Sequence, residues 1–319
     1  MLQESMRGIS LVLLVAFLAS MAVGQQIHRS VAITIDDLPV VSTRSDLKNR
    51  RQITKKLLGH ITKAKIPAIG FVNENKLYAG NKRDELQIDL LRMWLDAGLE
   101  LGNHTFSHRS LNQIPLADYE ADLLKGETVT KELLALKGRK MRFFRHPFLQ
   151  TGRTLEIKAQ FDTFLNDHGY RIAPISFDNA DYIFSRAYDI AFDRKDKKLM
   201  KQVGDAYVPY MEKKLEYWER QSVKLFDREI SQTLLIHANF INSDYFDELA
   251  EMFKRRGYAI VDLETALKDE AYRLPDTFTG GAGISWLHRW ALERGRENVL
   301  PDEPTVPEFV LKLSGFESE

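Results

Sequence analysis

The chain has 319 residues, in which 45 Lys plus Arg face 45 Asp plus Glu, and it contains no cysteine. Balanced charge excludes a global field that would draw nucleic acid or an anionic membrane surface, so neither is expected as a partner. The lack of cysteine excludes disulfides and thiolate metal sites, leaving burial alone to hold the fold together.

The first residues read as a secretory signal: Arg7 is a positive start, Ile9 to Leu18 an apolar stretch, and Ala22-Val23-Gly24 a small-residue cleavage site. Cleavage would make Gln25 the mature start, with residues 1–24 as signal peptide. An uncleaved anchor is the alternative. Cleavage predicts export to the periplasm or the extracellular space and no stable membrane insertion afterwards.

From there, short apolar runs alternate with longer amphipathic stretches. VAITI (31–35), AIGFV (68–72), LELGN (99–103), MRFF (141–144), RIAPIS (171–176), TLLIH (233–237) and YAIVDL (258–263) suit buried parallel strands. Between them helical patterns run over 47–64, 85–97, 117–136, 155–168 and 245–256. Strand then helix, about seven times, predicts an α/β fold: a distorted β/α barrel of about seven parallel strands, or an open α/β sheet. The spacing breaks between Tyr182 and Ser231, which predicts an insertion at about 183–230 on the rim of a domain covering 25–271. Residues 272–319 read as a C-terminal appendage. The aromatics Tyr207, Tyr210, Tyr217, Trp218, Trp286 and Trp290 are expected to pack these additions onto the barrel, and the run Arg194 to Lys201 to be a solvated face.

Polar residues collect where the strands end. Asp36 and Asp37, His104, Arg145, Asp178 and His237 each fall at or just after the carboxyl end of an expected strand. Barrel enzymes build their sites on that rim, from several strands. A carboxylate with His104 and His108 makes a three-ligand set that suits a catalytic rather than a closed structural metal site. Thr105 stands where a HExxH protease helix would carry its glutamate.

Five segments then occur in order: Thr34-Ile35-Asp36-Asp37, His104 to His108, Arg145-His146-Pro147-Phe148, Asp178-Asn179-Ala180-Asp181-Tyr182 and Leu235-Ile236-His237. Together they resemble the motifs of the polysaccharide deacetylase family, the NodB-homology carbohydrate esterases, over roughly 30–265. The resemblance implies a NodB-like barrel and hydrolysis of acetyl groups, N-acetyl before O-acetyl, from a glycan by metal-activated water. It also implies roles. Asp37, His104 and His108 hold a divalent metal, Zn²⁺ first, with Co²⁺ or Ni²⁺ as alternatives. Asp36 is the base, oriented by Arg145; His237 is the acid, partnered by Asp178; Phe148 offers a backbone oxyanion donor; Leu235 lines the acetyl pocket; Tyr182 completes the fourth motif beside the substrate.

Three positions depart from the pattern: Leu38 for glycine, Tyr182 for tryptophan and Phe148 for tyrosine. Leu38 is expected to narrow the rim beside the base. A non-catalytic carbohydrate-binding barrel, an O-acetyl esterase and a non-haem iron centre are the competing readings.

Overall fold

A computed structural model describes residues 29–44, 46–297 and 301–319; the expected signal segment lies outside them. The strands are β1 (Ser30–Leu38), β2 (Ile69–Val72), a small antiparallel pair β3 (Tyr78–Ala79) and β4 (Lys82–Arg83), then β5 (Glu100–Asn103), β6 (Phe143–Phe144), β7 (Arg171–Ile172), β8 (Gln232–His237) and β9 (Ala259–Val261). The main sheet runs β7-β6-β5-β2-β1-β8, all parallel, and β9 lies beside the amino-terminal half of β1. A parallel bridge from Phe177 to Leu234 brings the two ends together. The result is the distorted β/α barrel that the alternation of runs predicts.

β1 is buried along nearly its whole length, which explains why Val31 to Ile35 read as an unbroken apolar run. Helices close the outside. Leu47–Lys63 is capped by Asp46, whose side chain accepts from Asn49 N–H, and it packs against Phe240–Arg255, capped in the same way by Asn239.

Three expectations shift. The pattern over 117–136 is two helices, Leu116–Lys125 and Thr128–Ala135, interrupted at Gly126. A methyl group at Gly126 would stand 2.4 Å from both the Phe106 nitrogen and the Thr105 carbonyl carbon, so the break lets the His104–His108 loop press on the helix backbone. The helix expected from 245 begins at Phe240, because the Asn239 cap lies five residues earlier than the apolar pattern suggests. The strand expected over 171–176 keeps regular pairing only at Arg171 and Ile172.

The 183–230 segment carries most of Asp181–Asp193 and the long helix Lys197–Phe226. Tyr207, Tyr210, Tyr217 and Trp218, together with Trp286 and Trp290, are buried, as packing aromatics should be. After residue 271 come Trp286–Glu293 and Glu308–Ser314; the sequence pattern did not announce the second, which is only seven residues long. No helix among the described residues is long and apolar enough to cross a membrane.

Candidate active site

Adjacent strand residues point to opposite faces, so Asp36 and Asp37 could not both reach one site from a regular strand. The backbone solves this at Asp37, whose φ is +67°, while the β1–β2 register slips between Ile35 and Leu38. Left-handed φ is uncommon outside glycine and concentrates where function over-determines the backbone. Thr105, His108, Phe148 and Leu149 share it, at +53° to +63°. These residues surround one another on the rim.

Asp37, His104 and His108 offer ligand atoms that all lie within 4.8 Å of one another. Asp37 Oδ1 stands 3.5 Å from His108 Nε2 and 3.9 Å from His104 Nε2. Buried as it is, that oxygen accepts no hydrogen bond, the Lys76 ammonium standing off at 3.6 Å, and its incomplete shell suits a bound cation. The His104 Nδ1–H donates to the Arg145 carbonyl at 2.8 Å. A carbonyl can only accept, so the tautomer is fixed and Nε2 is left bare toward Asp37, the orientation a metal-binding histidine requires. Burial lowers the pKa of both histidines, keeping the imidazoles neutral. Burial alone would raise the Asp37 carboxyl, but the Lys76 ammonium holds it well below the usual carboxylate range. One anion and two neutral imidazoles fit a divalent cation.

The loop carrying the histidines is fastened by residues that no motif named. Asp122 accepts from Ser107 N–H at 2.9 Å and from the Ser107 hydroxyl at 2.7 Å; Asn73 Nδ2 donates to the His104 carbonyl at 2.6 Å; Asn103 Oδ1 accepts from Thr105 N–H at 2.8 Å. Lys76 Nζ donates to the Asp37 carbonyl at 2.8 Å, supporting the left-handed turn. A lysine four residues past β2 carries no sequence signal for such work.

Asp36 is 2 % exposed. Burial pushes its carboxyl up to about 6, against the pull of Arg145 and His237. The fully buried Arg145 places Nη1 3.6 Å from Asp36 Oδ2, while its Nη2 donates to Thr34 Oγ1 at 2.9 Å and Thr34 Oγ1 donates on to the Leu234 carbonyl at 2.7 Å. The guanidinium is thus aimed from two sides.

His237 pairs with Asp36 across the β1–β8 ladder. Its partner is Asp181, and the expected pairing with Asp178 is corrected. Asp181 Oδ1 accepts from His237 Nδ1–H at 2.7 Å, and Oδ2 accepts from the His237 backbone N–H at 2.9 Å, from Asn239 at 3.0 Å and from Asn242 at 2.7 Å. The reason is helical direction: Asp181 opens Asp181–Asp193 and faces β8, whereas Asp178 lies before that helix and faces the insertion. There the Asp178 carbonyl accepts from Trp218 Nε1–H at 2.8 Å, and burial pushes the Asp178 carboxyl up to about 6. Burial alone would lower the His237 pKa, but Asp181 lifts it to about 9.

Phe148 is 55 % exposed, its ring edge-on to His108 at 4.5 Å, and its backbone N–H has no hydrogen-bond acceptor among the described residues. Leu235 and Tyr182 line the same pocket as Asp36, Asp37 and His237. Leu38 does not narrow the rim as expected. It is fully buried, with its side chain over the α-carbon of Gly70, so the glycine beneath it rather than the solvent takes up its bulk.

Residues 24–173 match the polysaccharide deacetylase family, a stretch that holds the first three motifs and stops short of Asp178–Tyr182 and Leu235–His237. No curated protein matches the chain. Among solved structures, a peptidoglycan deacetylase from Bacillus subtilis is 19% identical, with 76% of this chain and 92% of that one covered and a TM-score of 0.47. A family 4 carbohydrate esterase from Streptomyces lividans, in complex with acetate, is 16% identical, with 75% and 96% covered and a TM-score of 0.45. A CE4 family pseudoenzyme from Bacillus anthracis is 14% identical, with 75% and 66% covered and a TM-score of 0.46.

Proposed function

We propose that this chain, whose residues 24–173 match the polysaccharide deacetylase family, is a member of that family and an exported, metal-dependent hydrolase that removes acetyl groups, N-acetyl first, from a glycan. One observation carries the reading: a three-ligand cluster shares a pocket with a buried carboxylate and a carboxylate-paired histidine on neighbouring strands. Asp37, His104 and His108 would hold the ion, Zn²⁺ first and Co²⁺ or Ni²⁺ as alternatives; when bound, it supplies Lewis acidity and a water of lowered pKa.

The chain's own groups then divide the proton transfers. Asp36 takes a proton, and its raised pKa suits a base working near neutrality. Arg145 orients it. Asp181 keeps His237 as imidazolium with Nε2–H toward the pocket, ready to protonate the departing amine or alkoxide. The free Phe148 N–H is suited to the oxyanion that forms on the acetyl carbonyl.

Acetate release from acetylated glycans tests the reading. Asp36→Asn and His237→Ala should each abolish release while the protein stays folded, and a chelator should inactivate it reversibly. Wild-type turnover in all three experiments would refute it.

A further inference from the structure

The pocket, about 750 Å³ in volume, is only half built by motif residues. Its other walls come from the long insertion helix and the C-terminal segments. On one flank the chain at Gly283 packs directly on the Phe148 loop: a methyl group there would sit 1.7 Å from the Phe148 carbonyl oxygen. The same strap is tied to the barrel by Ser285 Oγ–H to the Ser176 carbonyl at 2.8 Å and by Trp286 N–H to the Ile175 carbonyl at 2.7 Å. On the far flank Lys214, 2 % exposed, pairs with Glu303 at 2.6 Å and with Glu319, and Phe316 meets Tyr182 edge-on at 5.6 Å.

We infer that this collar makes the pocket blind on the insertion side, so the substrate enters end-on: the acetylated group belongs to a short oligosaccharide or to the terminal sugar of a chain, not to an interior sugar of a polymer. A polymer reacting at an interior residue needs room on both sides of the reacting centre. Here one side is closed by packed backbone, and opening the other would leave the buried Lys214 ammonium unpaired. The volume falls within the roughly 300–1,000 Å³ of pockets that enclose small ligands. The closed end also carries an ammonium and two carboxylates, donors and acceptors suited to the hydroxyls of a terminal sugar.

This inference rests on the acetyl-hydrolase reading, and one experiment separates the two. Zinc-supplied protein is assayed for acetate release on N-acetylglucosamine oligomers from monomer to hexamer and on soluble, partly acetylated chitosan, with acetate counted per chain. Blind entry gives kcat/KM that stops rising at short oligomers, and polymer that loses acetate only from its ends. Lys214→Met, which unpins the 301–319 strap, and Phe316→Ala, which thins the wall, each raise the polymer-to-trimer ratio by about tenfold, the effect of about 1.4 kcal/mol. Rates that climb through the hexamer, with acetate lost along the polymer interior, would overturn the inference while leaving the hydrolase reading intact. No acetate from any of these probes would overturn the N-acetyl hydrolase reading, and end-on entry with it. The length series on the unaltered protein decides the matter even if a variant fails to fold.

Discussion

Replacing Asp181 by Asn tests the part of the site that the fold, and not the motif spacing, assigns. The substitution keeps the shape but removes the charge that lifts His237 from 6.5 to about 9, a preference for imidazolium of about 3 kcal/mol. Without it the imidazole falls back toward its ordinary 6.5, with burial pulling it down and Asp37 and Asp36 still holding it up. At pH 8 the protonated fraction then falls from about nine-tenths to about three-hundredths, a roughly thirtyfold loss of the acid form. At pH 6 both proteins are mostly protonated, and the difference shrinks to less than about twofold. Occupancy of the metal cluster moves both profiles down together and keeps their separation. The assay is kcat for acetate release from pH 5.5 to 9, with circular dichroism and zinc stoichiometry as controls on folding. Asp178→Asn serves as the contrast and should leave the alkaline limb in place. A deficit in Asp181→Asn that is uniform across pH, or a shifted limb in Asp178→Asn instead, would refute the assignment.

Four further outcomes follow from the same geometry. A hundredfold excess of Zn²⁺ over its Kd should stabilise the protein by about 2.7 kcal/mol, raising Tm by a few degrees. Asp37→Ala should abolish that rise and Asp36→Asn should keep it, as differential scanning fluorimetry can read. Gly126→Ala drives a methyl group into the backbone of Thr105 and Phe106, so urea titration should show a loss of about 1–3 kcal/mol and isothermal titration a weaker Zn²⁺ affinity. Thr34→Val removes the hydroxyl that relays Arg145 to Leu234; kcat should fall by about tenfold with zinc stoichiometry unchanged. Because the folded pKa of His237 lies above its unfolded value, its pair with Asp181 stabilises fully below about pH 6.5. That contribution is lost as pH rises through about 9, so the wild-type advantage over Asp181→Asn in urea unfolding should shrink above that pH to what the hydrogen bonds from Asn239, Asn242 and the His237 backbone supply.

The strand order and the gathering of ligands on one rim were legible because both depend on local periodicity and on where apolar runs stop. β1, β2, β5 and β8 begin or end within a residue or two of the runs that announced them. What stayed hidden depends on direction. Asp178 and Asp181 differ by three positions, so spacing alone assigns either to His237; only the first turn of Asp181–Asp193, aimed at β8, decides. Lys76, Asp122 and Asn73 were invisible for a related reason: each acts on backbone far away in sequence, and a residue holding a carbonyl or an N–H leaves no periodic trace. The tail could not be read either, since its pocket-lining residues come from irregular chain and from beside a seven-residue helix.

Burial alone would push every carboxylate in this pocket up and every histidine down. The site departs from that default only where a specific partner intervenes, and the departures sort the residues by task. His104 and His108 follow the default and remain neutral ligands. Asp37 is driven the other way, chiefly by the Lys76 ammonium, and stays an anion, as a ligand must. Asp36, one residue away, keeps its raised pKa because the nearer Arg145 nitrogen stands off at 3.6 Å and makes no hydrogen bond to it. His237 is lifted by a carboxylate that accepts four hydrogen bonds and so cannot turn away. Adjacent aspartates with opposite protonation tendencies, beside histidines split in the same way, separate the groups that hold charge from those that pass protons. The left-handed turn at Asp37 makes that division possible, because a straight strand would have put one of the two carboxylates outside the pocket.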